Sequence, residues 1–456
     1  MILDETIKRG FRLAYPFVRR RYERSWPIEG TMEHLGKGET LYWCFKCFCH
    51  PITQAEPGWG IEERFAPLAA TSDDAGEGYP RFEPPSVPDG FTVQSRARIA
   101  CAGDLLATRA VAEADTTHLL DDVADFFADT DLRYANLECP VVPSRPAVGT
   151  PPETWLKPLY LNHSADLIRR LLPDPFGFVS IANNHSLDQG PDGLIETMDF
   201  LDDLGCAYVG GARSVAERDQ PHITELNGIR VAHISWTFSL SNKPLPPERD
   251  YLVNYLRLNL ADVDLEPLEA QVRAARAAGA DLIVAYLHWG LEFEAYPNHT
   301  LIANAHRIVE LGVDVIVGNH PHNVQPWEWH SYTAQDDEGR ATERTGLIIY
   351  AQGDFASFQS RDMCTATYLG ALVRIDFAKG RDRAGRECAW VSALQVMPVF
   401  PFAVFDGSRC VEFRMLDLSR LARNGFDCDL AGYGAHHRRR TRKLWDNALI
   451  ARLRGV

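Results

Sequence analysis

No stretch of about 18 apolar residues occurs in the sequence, so nothing in it reads as a membrane-spanning helix. The opening segment, MILDETIKRGFRLAYPFVRRRYERSW, breaks its longest apolar stretch at Pro16 and continues into basic residues, unlike a signal peptide. A cytoplasmic chain with no membrane partner is therefore expected. Basic charge is also in short supply: 47 Lys and Arg face 62 Asp and Glu, leaving a formal net charge of −15. Such a balance argues against a protein built to coat nucleic acid or anionic lipid. Cysteine is sparse at ten residues, and Cys101 and Cys206 sit in apolar, strand-like contexts, which suggests reduced core thiols rather than a disulfide framework. Only Cys44, Cys47, Cys49 and His50 cluster, in CFKCFCH, and without a second half of the CxxC type they read as a partly buried strand in preference to a zinc site.

What is present is a globular composition, 45% hydrophobic and 24% charged over 456 residues, with one sharp compositional break. Around residues 69–90 the segment AATSDDAGEGYPRFEPPSVPDG gathers Pro, Gly, Ser and Asp and reads as a linker. The expected organisation is an N-terminal appendage and linker over 1–90, an α/β domain over 91–405 and a C-terminal extension over 406–456, which ends in the basic run HHRRRTRK.

Within the central region, apolar strand-like runs alternate with segments whose apolar residues recur every three or four positions, the pattern of a layered α/β domain. SADLIRRLL, GLIETMDFLDDLG, LEPLEAQVRAARAAG and NAHRIVELG are the expected helices, the last three closed by Gly. Six strand-like runs lead directly into polar motifs: ARIACAG into Asp104, LRYA into Asn136-Leu137-Glu138, and FVSIA into Asn183-Asn184-His185. DLIVAYL leads into His288-Trp289-Gly290, VDVIVG into Asn319-His320-Pro321-His322, and GLIIYAQ into Gly353-Asp354-Phe355. Ligands of open α/β sheets bind beyond the carboxyl ends of strands, so these motifs are expected to converge on one rim. Carboxylates, an amide and imidazoles arriving from several segments are what a divalent cation requires, and Asp104, Glu138, Asn184, His288, His320 and His322 supply them.

The ordered set GDLLATR (103–109), NLECPV (136–141), ANNHSLDQG (182–190), HWGLEF (288–293), GNHPHNVQP (318–326) and GDF (353–355) resembles the calcineurin-like metallophosphoesterase superfamily, and within it the CapA or poly-γ-glutamate synthesis family of capsule-synthesis proteins. The resemblance implies a layered α/β sandwich with an N-terminal appendage. It also implies a first metal position at Asp104 and His322, a bridging carboxylate at Glu138, a second position completed by Asn184, His288 and His320, and a general-acid role for His185. Two residues after Asp104, where classical phosphoesterases often have a ligating histidine, stands Leu106, so one ion is expected rather than two. Its identity stays open among Ca²⁺, Mg²⁺, Mn²⁺, Fe²⁺ and Zn²⁺. Asp354 stands where the capsule family usually has Asn, adding an ionisable group that hydrolysis does not need.

Two reactions fit such a rim. One is phosphoester hydrolysis by metal-activated water. The other is epimerisation at an amino-acid Cα, which needs a base on each face of the carbon. His185 with Asp104 or Asp188, and His320 or His322 with Asp354, would supply the two bases. Asp188 either orients His185 or caps the helix that follows it. The whole chain is also similar to the lasso-peptide epimerases of the same family, which implies a precursor peptide as substrate and partner. Arg109 would then hold its carboxylate, while Trp236, Trp289, Tyr296 and Trp327 would line a groove, with core packing as the alternative for these rings. Epimerase ranks first, phosphoesterase second, and a non-catalytic polymer- or peptide-binding protein third.

Overall fold

The computed structural model describes residues 90–149, 160–335, 341–357 and 369–423, single positions excepted, together with isolated stretches before residue 90. The Cys44, Cys47, Cys49 and His50 cluster, the basic run near the C-terminus and the side chain of Arg109 lie outside the described residues.

The chain builds two sheets in succession and then returns to the first. Strands β1 (Ser72–Asp73), β2 (Pro80–Phe82), β3 (Thr92–Leu106), β4 (Leu132–Glu138), β5 (Phe178–Ser180) and β6 (Ala207–Val209) belong to the first sheet. The second is made of β7 (His222–Leu226), β8 (Ile229–Thr237), β9 (Leu282–His288), β10 (Val315–Asn319), β11 (Trp327–Gln335) and β12 (Ala341–Ile349). Strands β13 (Gly370–Arg381), β14 (Glu387–Asp406) and β15 (Arg409–Asp417) then rejoin the first sheet, whose order is β1-β2-β14-β13-β3-β4-β5-β6 with β15 also paired to β14. The order of the second sheet is β11-β12-β10-β9-β8-β7. Strands β3 to β6 run parallel, as do β8, β9, β10 and β12, so the carboxyl ends within each set share a direction.

Apolar inner faces hold the two sheets together. Ile99, Cys101, Tyr134 and Phe178 from one pack with Val231, Val284, Tyr286, Val317 and Ile349 from the other, and Tyr134 stacks on Tyr286 with ring centroids 3.8 Å apart. Helices cover the outer faces. On the first sheet these include α3 (Ala165–Leu171), which buries Leu167, Ile168 and Leu171, and α4 (Gly190–Leu204), which buries Leu194, Met198 and Leu201. On the second they are α6 (Glu266–Ala277) and α7 (His299–Glu310), whose buried residues again fall at helical spacing. Short helices α1 (Arg109–Glu113), α2 (Ala124–Phe127) and α5 (Val215–Arg218) fill connections, and α8 (Leu418–Arg423) follows β15. The result is a four-layer helix–sheet–sheet–helix sandwich.

Two expected boundaries fall inside this unit. Pro80–Phe82, read as linker, forms a strand on β14, and residues 406–417, read as an extension, complete β14 and add β15. Among the described residues no helix is long and apolar enough to cross a membrane.

Candidate metal centre

Along the inner face of each parallel strand, side chains two residues apart point the same way. Near the carboxyl ends this column changes from apolar to polar: Tyr134 gives way to Asn136 and Glu138 on β4, and Tyr286 to His288 on β9. The last residues of β4, β9 and β10 therefore bring Glu138, His288 and Asn319 between the sheets, while on β3 a register shift between Cys101 and Asp104 turns Asp104 to the same side; all four are buried.

Backbone crossings fix the loops above them. Asp104 N donates to Gly353 O (3.1 Å) and Phe355 N to Asp104 O (2.8 Å), tying the end of β3 to the loop after β12. This approach requires glycine: a Cβ on Gly103 would lie 1.9 Å from Gly353 O, and one on Gly318 1.9 Å from Tyr350 O. In the loop after β10, His320 and His322 adopt φ of 100° and 53°, a region that non-glycine residues enter at a cost and that clusters at functional sites.

Two groups of donors result, Glu138 with His288 and His320, and Asp104 with His322 and Asp354; within each group one donor atom per residue lies within 4.8 Å of the others. Glu138 stands between them, its Oε1 3.5 Å from His288 Nε2 and 3.8 Å from His322 Nε2. Asn184 Oδ1 lies 2.9 Å from His288 Nε2. Asn136, which sequence reasoning did not single out, donates from Nδ2 to Asp104 Oδ1 (2.7 Å) and sits 3.3 Å from His288 Nδ1.

The donors fit a cation. Both carboxylate oxygens of Glu138 and both ring nitrogens of His320 are buried without a hydrogen-bond partner, an arrangement that costs free energy unless something positive completes it. Burial, reinforced by the charge of Asp104, pushes Glu138 well above the usual carboxylate range, and burial pushes Asp104 up to about 6 despite the pull of His322. Burial holds His288 and His320 well below the usual imidazole range, so both are neutral and available as ligands. Burial opposes charge on His322 too, but the carboxylates of Asp354, Glu138 and Asp104 outweigh it and raise its pKa well above the usual value.

Two His–Asp dyads accompany these groups. His322 Nδ1 lies 2.7 Å from Asp354 Oδ1, and Ser357 Oγ donates to Asp354 Oδ2 (2.9 Å). His185 Nδ1 lies 2.9 Å from Asp188 Oδ2, so among the two partners foreseen for His185 it is Asp188, not Asp104, that pairs with it. Asp188 also accepts from Leu161 N (2.8 Å) and from Lys243 Nζ (3.0 Å). Burial raises its carboxyl, yet His185, Lys243 and Leu161 N together hold it below the usual range. Lys243, Leu161 and Ser357 come from loops with no periodic pattern, and nothing in the sequence signalled their roles.

The aromatic residues foreseen as a groove occupy the core instead. Trp289 is fully buried and donates its indole N–H to Tyr350 O (3.1 Å), while Trp236 donates to Gln271 Oε1 (3.0 Å). Both belong to the outer-face core under α6 and α7, as does Tyr296, and Trp327 packs on Phe82 in the inter-sheet core. The reason is strand alternation: His288 points between the sheets, so Trp289 next to it turns toward the helices.

A four-layer sandwich with carboxylates and imidazoles gathered at its strand ends defines a protein of the calcineurin-like α/β class. Residues 98–359 match the family described as bacterial capsule synthesis protein PGA_cap, and the chain belongs to that family. Its relatives include the capsule biosynthesis protein CapA of Bacillus anthracis, 24% identical over 325 residues that cover 70% of this chain and 71% of that one. The PGA biosynthesis protein CapA of Bacillus subtilis is 25% identical over 224 residues, 49% of this chain and 53% of its own. A probable polyglutamine synthesis accessory protein of Mycobacterium tuberculosis is 31% identical over 153 residues, 33% of this chain and 40% of that one.

Proposed function

We propose that this protein is a metal-dependent epimerase that inverts the Cα of a residue, the C-terminal one, in a ribosomal precursor peptide of the lasso type, using two His–Asp dyads as acid and base. The observation that carries the reading is the pair of buried dyads, His185–Asp188 and His322–Asp354, beside the group Glu138, His288 and His320. In each dyad the carboxylate holds Nδ1 of the ring, which leaves Nε2 as the nitrogen that exchanges a proton. One neutral imidazole takes the Cα proton, and the imidazolium of the other dyad returns a proton to the opposite face. The carbon is neither oxidised nor reduced, and the two dyads exchange protonation states. A divalent cation held by Glu138, His288 and His320 would offset the negative charge that develops on the neighbouring carbonyl oxygen, and two imidazoles with one carboxylate favour Mn²⁺, Fe²⁺ or Zn²⁺ over Ca²⁺ or Mg²⁺. An amide-linked substrate accords with the names of the relatives, which refer to PGA biosynthesis and polyglutamine synthesis.

A second reading, phosphoester hydrolysis, is favoured by the second donor group, Asp104, His322 and Asp354, which would let the site take two cations with His185 protonating the leaving oxygen. Incubating the metal-loaded protein with a precursor peptide in ²H₂O separates the two. Epimerisation gives one deuterium per inverted residue and a D-residue on hydrolysis of the peptide. Absence of exchange, together with turnover of a chromogenic phosphodiester and two bound metals per chain, would replace the first reading with the second.

A further inference from the structure

Backbone bonds fix His185 on both sides. Its N–H donates to Asn183 Oδ1 (3.1 Å) and its carbonyl accepts from Asp188 N (2.9 Å), closing the turn that leads into α4. Only the ring is then left to place, and Asp188 Oδ2, 2.9 Å from Nδ1, places it. A carboxylate turns readily about its last bond, because torsions between tetrahedral and trigonal carbon have broad minima. Donors on one oxygen leave its plane loose, whereas donors on both lock it.

Lys243 provides the second hold. Its Nζ lies 3.0 Å from Asp188 Oδ1, while Oδ2 takes Leu161 N (2.8 Å) together with the His185 ring. The pair is enclosed, with 11% of the lysine side chain exposed and none of the aspartate. Lysine ordinarily keeps its ammonium in water, since the group is strongly hydrated and its stem is flexible. Here both ends of the residue are held: Lys243 N donates to Leu240 O (2.9 Å), and Nζ stands 4.8 Å from the centre of the Tyr160 ring, within reach of a cation–π contact. Tyr160 and Leu161 are pinned in turn by Gln189, whose Nε2 donates to both of their carbonyls (3.1 and 2.9 Å). Three loops, around residues 161, 188 and 243, thus meet on one carboxylate.

The other dyad follows the same plan with a neutral donor, since Asp354 Oδ1 faces His322 Nδ1 and its Oδ2 accepts from Ser357 Oγ. We propose that Lys243 is a positioning residue of the rim, its ammonium group locking the Asp188 carboxylate so that Oδ2 holds Nδ1 of His185 and Nε2 stays directed at the substrate. The part this plays in turnover rests on the epimerase reading; the clamp itself does not.

Two measurements on the full-length, zinc-loaded protein test this. The first is NMR of protein labelled with ¹⁵N-histidine, in which the Nδ1 proton of His185 is recognised by its absence from His185→Gln and that of His322 by its absence from His322→Gln. Lys243→Met should shift or broaden the His185 signal and leave the His322 signal in place, and Lys243→Arg should restore it. The second is deuterium uptake by a precursor peptide in ²H₂O. Lys243→Met should lower kcat about 10- to 100-fold with KM unchanged, the split expected of a residue that acts in the transition state through another, and Lys243→Arg should regain most of the rate. The proposal is overturned if the His185 signal stays in place in Lys243→Met, if the His322 signal moves as far, or if Lys243→Arg is as slow as Lys243→Met at an unaltered unfolding temperature. It is overturned as well if KM rises with kcat unchanged, which would put Lys243 on the substrate instead. If the wild-type protein exchanges no deuterium while the NMR pattern holds, the epimerase reading falls and the clamp stands.

Discussion

Replacing Asp354 by Asn keeps the shape of the side chain and removes its charge. In the native site its Oδ1 is 2.7 Å from His322 Nδ1, with both side chains almost fully buried, at 5% and 2% exposure. The next carboxylates are farther off, Asp104 at 3.7 Å and Glu138 at 3.8 Å. A hydrogen bond to a charged group contributes about 1.5–3 kcal/mol. If His322 must hold and release a proton in the rate-limiting step, losing that contribution at 1.36 kcal/mol per decade slows turnover roughly 10- to 150-fold. The assay is deuterium uptake at the peptide Cα in ²H₂O, read by mass, with the stereochemistry of the residue determined afterward. Metal content must be measured in parallel, because Asp354 also belongs to the second donor group. A variant with a full metal complement that inverts its substrate at the wild-type rate would falsify the assignment of the His322–Asp354 dyad as one of the two bases.

Metal affinity should fall on acidification. Asp104, raised to about 6, and Glu138, raised well above the usual carboxylate range, both take up protons as the pH drops, and proton and cation then compete for the same oxygens. Calorimetric titration in two buffers of different ionisation enthalpy should reveal proton release on binding near neutral pH; heats that do not depend on the buffer would contradict the raised carboxylates. Chelation should lower the unfolding temperature, since a cation at 1,000 times its Kd stabilises the folded chain by about 4 kcal/mol. Gly103→Ala places a Cβ 1.9 Å from Gly353 O and should cost about 1–3 kcal/mol in denaturant unfolding while lowering metal affinity, as the end of β3 is forced from its partner loop. Trp289→Phe should reduce stability by about 1–3 kcal/mol, through loss of the indole hydrogen bond to Tyr350 O and of packing, with peptide KM unchanged; a raised KM at unaltered stability would place the indole in a binding groove after all.

Much of the rim was legible because parallel strands display their functions at a defined place, the last residues of the strand and the first few of the loop after it. That rule points to Asp104, Glu138, His288, His320 and His322, the resemblance to the capsule family adds Asp354, and the structure gathers these six in two adjoining groups. The same rule misled for Trp289 and Trp236, since proximity to a strand end does not say which face a side chain takes. Counting alternation back from His288 would have turned Trp289 to the helix side, and counting back from Glu138 would have selected Asn136. Lys243 and Ser357 could not have been found this way, because their contacts depend on how loops fold over the rim. The return of residues 370–417 to the first sheet escaped notice for a related reason: β13, β14 and β15 are antiparallel and end in no polar motif.

The joint between Asp104 and the loop around Gly353 bears on how the molecule comes into being. Strand β3 has β13 as its neighbour, and Asp104 bonds to backbone supplied only after β12, so the rim cannot close during synthesis until nearly the whole family domain has emerged. Contacts so distant in sequence form late and slowly. Until then Asp104, Glu138 and Asp354 belong to segments free to keep apart, and bringing three carboxylates into one dry layer opposes the final docking of the sheets. A cation arriving at that moment would act as a clasp on the seam, so metal supply in the cell should govern how much of this protein matures as well as how fast it turns over.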